Sequence, residues 1–179
     1  SERGKVLYVG ISDAPAWIVS QANTLAELRG WTAFAGLQIQ YSLIERTAER
    51  DLLPMAEALD ITVTPWSPLG MGVLTGKYSG GKIPEQSRAG DPKRNRWMGD
   101  RLDRDVLDRI DRLNEMASDL GLSMAQLALA WCLRLANVSS VIVGASSPDQ
   151  VRENARASGV TLSQTLLEEI EEALAEKLA

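Results

Sequence analysis

Chemistry-bearing side chains gather where apolar runs give way to small or polar residues. In Val141-Ile-Val-Gly-Ala-Ser-Ser-Pro-Asp-Gln-Val-Arg-Glu-Asn154 a β-branched run ends in small residues and a helix begins at once. A strand that empties into a helix N-terminus presents unpaired N–H groups and a partial positive charge, which favours an anion such as phosphate. Ser147 fits the N-cap, Pro148 the first turn and Gln150 the N3 position of a capping box. Gly144 and Ala145 let a ligand approach the backbone, and Gln150, Glu153 and Asn154 lie on neighbouring turns that can face one bound group. An ordinary αβ junction with a good cap explains these features equally well, so the other strand ends must decide. There, an amide-bearing ring could stack on Trp66, with Ser12, Asp13 and Gln38 hydrogen-bonding the amide. A pyrophosphate could follow the loop from Ser67 to Gly72, and a terminal phosphate could reach the helix start at Ser147.

The elements that must position these groups alternate in type. Residues 5–11 form a nearly continuous apolar run, the pattern of a strand buried on both faces in a parallel sheet. Asp13 is the expected N-cap of a helix that Ala14 and Pro15 open and that runs to about Arg29. A second strand is expected over 34–41, then a helical segment over 47–59 that Pro54 kinks or restarts. The third strand is expected over 61–65 and the fourth over 139–143. Residues 79–100, rich in Gly, Pro and charge, read as a long loop or lid within a single domain, 1–179. Helices are expected over 103–120, over 123–136 behind the capping box of Ser123 and Gln126, over 147–157, and over 163–177. Four strand–helix alternations without a hairpin signal predict a parallel α/β sheet with right-handed crossovers. Ligands of such sheets bind at the carboxyl ends of the strands, where Ser12, Gln38, Trp66 and Gly144 all lie.

Composition narrows the function classes. A net charge of −5 and a sequence pI near 4.9 give no basic footprint for nucleic acid or an anionic membrane, so the helix pair at 103–136 is not read as a DNA-binding motif. The chain has no histidine and one cysteine, Cys132 within an apolar run, which argues against a zinc site and for buried packing of the thiol. No disulfide framework, signal pattern or transmembrane span is apparent, and a cytoplasmic protein is expected.

The segments Gly10-Ile-Ser-Asp13, Gln38-Ile-Gln-Tyr-Ser42, Thr64-Pro-Trp-Ser-Pro-Leu-Gly-Met-Gly-Val-Leu-Thr-Gly-Lys-Tyr78 and 141–154, in that order, resemble the aldo-keto reductases. The resemblance is closest to the branch that includes potassium-channel β subunits and many bacterial reductases. It implies strands five to eight of a TIM-type (β/α)8 barrel, hence a parallel (β/α)4 half-barrel with extra helices, and NADP(H) as cofactor. Ser12, Asp13 and Gln38 resemble the nicotinamide-carboxamide contacts, with Asp13 where the family usually has Asn. Trp66 resembles the aromatic residue stacked on the nicotinamide. Ser67, Leu69 and Gly70 resemble pyrophosphate contacts, with Lys77 in the loop that folds over the cofactor. Gly144, Ser146, Ser147, Gln150, Glu153 and Asn154 resemble the segment that holds the adenosine 2′-phosphate and adenine, with Gln150 where many members carry Arg. The family's catalytic Asp, Tyr, Lys and His belong to the other half of the barrel, so the resemblance implies a chain inactive by itself in the parent reaction, NADPH-dependent reduction of aldehydes or ketones.

Half a barrel has two open edges and, on this reading, an apolar inner face to which some of the strand residues Val6, Tyr8, Ile39, Val63 and Val141 contribute. The expected remedy is a homodimer that rebuilds eight strands, binding no more than one NADP(H) tightly, or a separate N-terminal half. Competing readings are a non-catalytic half-barrel that binds nucleotide and a soluble α/β domain with a degenerate site.

Overall fold

The computed structural model describes residues 4–93, 95 and 98–175. Its core is a parallel sheet of β1 (Val9–Ser12), β2 (Phe34–Gln40) and β3 (Thr62–Trp66), in that spatial order, with helices on one face. The helices are α1 (Ala16–Arg29), α2 (Leu52–Ala58), α3 (Arg104–Asp119), α4 (Met124–Leu133), α5 (Pro148–Ala155) and α6 (Gln164–Ala175). The helix expected to reach 177 ends, as far as the described residues go, at Ala175.

Register fixes which side chains share a face. Gly10 pairs with Gly36, Ser12 with Gln38 and, across β2, Gly36 with Thr62, Gln38 with Thr64 and Gln40 with Trp66. Side chains alternate along a strand and paired residues point the same way, so these form one face, which is exposed or half-buried. The opposite face bears Leu37, Ile39 and Val63, all at most 1% exposed and packed with Val19, Ala56, Leu127 and Trp131. The open face is therefore small and polar, which corrects the expectation of an apolar interior. Ile39 and Val63 lie in the core, and Val6 and Tyr8 are exposed before β1 begins.

Strand β1 is shorter than its apolar run because β2, its neighbour, begins only at Phe34 and the register shifts between Val9 and Gly10. Leu7 and Tyr8, each 79% exposed, precede it without a ladder. The expected fourth strand is also cut down, to isolated parallel bridges from Val63 to Val138 and from Trp66 to Ile142. Pro65 explains this. Val63 donates to Asn137 O (2.7 Å) and accepts from Ser139 N (3.3 Å), but the next donor on that edge of β3 would be residue 65, which has no N–H. The Pro65 carbonyl is then met by Ile142 N (2.8 Å), one residue later than an unbroken parallel register would bring it.

The helices follow their local signals more closely. Ser123 accepts from Gln126 N (3.3 Å) while Gln126 Oε1 accepts from Ser123 N (3.0 Å), completing the expected capping box of α4. Helix α3 turns Leu107, Ile110, Leu113 and Ala117 to the core. Residues 47–59 are not one kinked helix: a 3-10 turn (Thr47–Glu49) precedes α2, and Pro54 sits in the first turn of α2, where a missing N–H breaks no bond. Helix α1 docks on β2 through Asn23, whose side-chain amide donates to Phe34 O (3.0 Å) and accepts from Phe34 N (2.9 Å). The loop after β3 runs through 3-10 turns at Gly70–Thr75, Ser79–Gly81 and Gly99–Leu102, anchored by buried Val73, Leu74 and Tyr78. Among the described residues no single helix is long and apolar enough to cross a membrane.

Candidate functional site at the carboxyl rim of the sheet

Strand register alone brings Ser12, Gln38 and Thr64 to one level and Gln40 and Trp66 to the next. Directly beyond β1, Asp13 turns back at φ +50°, with its N–H on Gln38 O (3.1 Å). Its carboxylate spans the rim. Oδ1 accepts from Trp66 Nε1 at 3.0 Å and Oδ2 accepts from the Ser12 hydroxyl at 3.2 Å. The expected role of Asp13 as N-cap of α1 is thus replaced: Pro15 holds that position, with no side-chain cap. The carboxylate is turned across the strand ends to the indole N–H and the Ser12 hydroxyl rather than to the first turn of α1.

Beyond β3 the chain doubles back through Ser67 (φ +52°), Gly70 (φ +54°), Met71 (φ +60°) and Gly72 (φ +100°). Left-handed backbone at two non-glycine positions of one loop is strain that packing must hold in place. Gly70 suits its left-handed φ, and a Cβ there would also meet Ile44 Cδ1 at 2.7 Å, so that side chain would have to shift. Carbonyls of Ser67 and Leu69 accept from Gly70 N and Gly72 N, both at 2.9 Å. The Lys77 ammonium lies over Gly72, 2.7 Å from where a Cβ would sit. Among the described residues no hydrogen bond or ion pair joins Lys77 to the Ser12–Asp13–Trp66 group or to α5; its ammonium lies 5.3 Å from the Tyr78 ring centroid.

The third part of the rim follows the Trp66–Ile142 bridge. Gly144 is open, with nothing within 4 Å of a Cβ built on it. Ser147 caps α5 as expected, accepting from Gln150 N (3.3 Å). The other half of the expected capping box differs: Gln150 Oε1 reaches past the N-cap and accepts from Ser146 N (2.8 Å) and Ser146 Oγ (3.1 Å). An anion arriving here must displace that amide. Glu153 is held by its carbonyl, which accepts from Gln126 Nε2 (3.1 Å), and Asn154 is half-buried with its carbonyl accepting from Ala157 N (3.1 Å).

Sequence reasoning missed Gln40, Thr62 and Thr64, which complete the polar face. The signal was the period-two alternation of Gln38 with Gln40 and of Thr62 with Thr64. It also missed a polar cluster behind the sheet. Buried Tyr41 donates to Glu49 Oε1 (2.7 Å) and accepts from Arg134 Nη1 (3.1 Å), while the guanidinium carbons of Arg134 and Arg46 lie 3.6 and 5.1 Å from the Trp131 ring centroid. Burial raises the Tyr41 hydroxyl above its usual range, and Glu49 adds to this. For Glu49 burial acts the same way, but hydrogen bonds from Arg46 and Tyr41 and the charges of Arg46 and Arg134 overcome it and hold the carboxyl below its ordinary value. Burial pushes the Cys132 thiol up to about 12, so its thiolate is scarce at neutral pH. These groups build the scaffold; their hydroxyl and carboxylate are already taken by one another.

A concavity of about 340 Å³ lies elsewhere, lined by Leu43, Ile44, Val106 and Leu174 with Arg46, Arg109 and Glu171. Its cations are engaged, Arg46 with Glu171 and Arg109 with Asp105 and Leu174 O, whereas the rim offers groups with capacity to spare. Among the described residues no group of three or more His, Cys, Asp or Glu could hold a metal ion.

Parallel strands whose carboxyl ends gather Ser, Asp, Gln and Trp, followed by a capped helix start, define an α/β protein consistent with part of a TIM-type barrel. The chain belongs to the aldo/keto reductase family, whose model matches residues 1–175. It is 38% identical over 160 residues to a probable voltage-gated potassium channel subunit beta of Oryza sativa subsp. japonica, covering 89% of this chain and 49% of that protein. Identity to the probable voltage-gated potassium channel subunit beta of Arabidopsis thaliana is 36%, over 98% of this chain and 55% of the relative. Norsolorinic acid reductase A of Aspergillus parasiticus is 31% identical over 95% of this chain and 41% of its own length. The chain spans about half the length of the curated relatives it matches.

Proposed function

We propose that this chain supplies the NADP(H)-holding part of an oxidoreductase that reduces aldehydes or ketones, and that it does not turn over carbonyl substrates by itself. The observation that carries the reading is the joining of Ser12, Asp13, Gln38 and Trp66 at adjacent strand ends. These groups fit a nicotinamide. Its carboxamide needs acceptors for an NH₂ and a donor for a carbonyl; Asp13 has lone pairs beyond those Trp66 and Ser12 use, and the Gln38 amide offers both kinds of group. The Trp66 indole, held edge-on by Asp13, presents a face for stacking. Gly144, open at the helix start, fits close approach of a phosphate to the backbone once Gln150 moves aside.

When bound, the cofactor would supply a hydride. The chain's own residues would orient the ring and hold the phosphates through Ser67–Gly72, Lys77 and the start of α5. Protonation of the alkoxide is not assigned to this chain: Tyr41 and Tyr78 have hydroxyls engaged in the core, with Glu49 and Arg134 and with Ala89 N.

Titration of the chain with NADPH, followed by tryptophan emission, tests the reading. Trp66→Phe is the control among five tryptophans. Stacking on Trp66 should quench wild-type emission, and the variant should lose most of that quenching along with roughly tenfold in affinity, about 1.4 kcal/mol. Equal quenching in both proteins would place the nucleotide elsewhere, and steady NADPH oxidation with a simple aldehyde would show a complete catalytic set.

The flanks of the sheet bear on assembly. Among the described residues the outer edge of β1 has no partner strand, and Leu7, Tyr8, Trp17, Leu28 and Trp31 are all more than 60% exposed. Ile142 and Val143 are also exposed at the opposite edge. For the chain alone in solution we propose a second copy as the occupant, the edge of one copy meeting the opposite edge of the other, because the two edges are the unpaired ends of one sheet. Sedimentation should give a dimer; a compact monomer at tens of micromolar would remove the idea.

A further inference from the structure

The Asp13 side chain is a carboxylate set among the uncharged side chains of Ser12, Gln38 and Trp66 at this end of the rim. Both of its oxygens are engaged, by the Trp66 indole and the Ser12 hydroxyl, and its backbone is tied to Gln38 O at a left-handed φ. Among the described residues it has no cationic partner. The carboxylate therefore sits at the edge of the indole on which a flat ligand would stack, with no ion pair to a cation among the described residues. We infer that Asp13 is a specificity-determining residue that makes this rim bind the oxidised, positively charged nicotinamide in preference to the reduced, neutral one.

The inference rests on the proposed nicotinamide site and deepens it. The two redox states carry the same phosphates, ribose and adenine, so every contact outside the ring cancels when their affinities are divided. What remains is the ring, which bears a positive charge when oxidised and none when reduced. A carboxylate pinned to the stacking indole lies on the order of 5 Å from the centre of a ring stacked there, a separation at which opposite charges attract even through water. Because Asp13 is exposed, solvent screens this, and the expected preference is about three- to tenfold. A neutral amide of the same shape could still accept from the indole and pair with a carboxamide but would lack the charge. Asp13 thus favours loss of hydride over gain of hydride at this rim.

Calorimetric titration of the chain with NADP⁺ and with NADPH, in wild type and in Asp13→Asn, tests this without turnover. The ratio of the NADPH to the NADP⁺ dissociation constant should fall about three- to tenfold in the variant. A second measurement needs no variant: raising sodium chloride from about 0.05 to 0.5 M should lower the wild-type ratio, while the loss of phosphate attraction, common to both states, divides out. An unchanged ratio in Asp13→Asn, with both nucleotides still bound, overturns the inference and leaves the proposed site standing. Failure of wild type to bind either nucleotide overturns both.

Discussion

The rim has two ends built on different principles. At the Ser12–Trp66 end, β1, β2 and β3 are laddered in register, the helix side of the sheet is closed by Leu37, Ile39 and Val63, and Asp13 ties the half-buried indole across to the end of β1. At the Gly144–Asn154 end, the chain touches β3 through isolated bridges, is exposed from Ile142 to Ser146, and satisfies its helix start with its own Gln150. On the proposed function, the first end is organised in advance for the nicotinamide ring, while the second closes on itself and would have to open for a phosphate. Preorganisation lowers the cost of binding, so the first end should set how tightly a ligand is oriented and the second how much must rearrange.

The sharpest way to break this contrast is to truncate a side chain on each side of it. Leu37→Ala removes a fully buried side chain from the central strand and should lower unfolding free energy by about 2–5 kcal/mol, read from urea denaturation. Ile142→Ala, at a position 43% exposed, should lower it by less than about 1 kcal/mol. Similar losses at the two positions would mean that the fourth segment is as much a part of the core as β2, and the contrast would fail.

What could be read from the sequence follows the same division between local and distant causes. The capping box of Ser123 and Gln126 is written within four residues and formed as expected, as did the Ser147 cap of α5. Pro54 left kink and restart open; the structure takes the restart, which Pro54 tolerates because α2 begins two residues before it. The fourth strand was read from its own β-branched run, but the ladder failed on account of Pro65, which lies in the partner strand and far away in sequence. Asp13 fits two uses in the sequence, capping α1 and serving the strand ends, and its local sequence cannot choose between them because the deciding donor, Trp66, lies 53 residues away. The polar inner face was legible in the alternation of Gln38 with Gln40 and of Thr62 with Thr64; the apolar run at 5–11, most of which lies outside the sheet, drew attention from it.

A smaller effect separates the two ends by function. If the start of α5 is closed by its own side chain, removing that side chain should help a ligand rather than harm it. Gln150→Ala takes away the acceptor that holds Ser146 N and Ser146 Oγ, while Ser147 Oγ still receives the N–H of residue 150. The helix loses one exposed hydrogen-bonding side chain, a change of about 0.5–1 kcal/mol in stability. The freed N–H points to where the helix dipole already favours an anion. Calorimetric titration with NADP⁺ should then show affinity rising about two- to fivefold, because nothing has to be displaced. The comparison with NAD⁺ locates the gain: it should be smaller for the nucleotide lacking the 2′-phosphate. A fall in affinity for NADP⁺ alone would mean that Gln150 swings to donate to the phosphate through its Nε2, so that both ends of the rim carry side chains poised for the ligand.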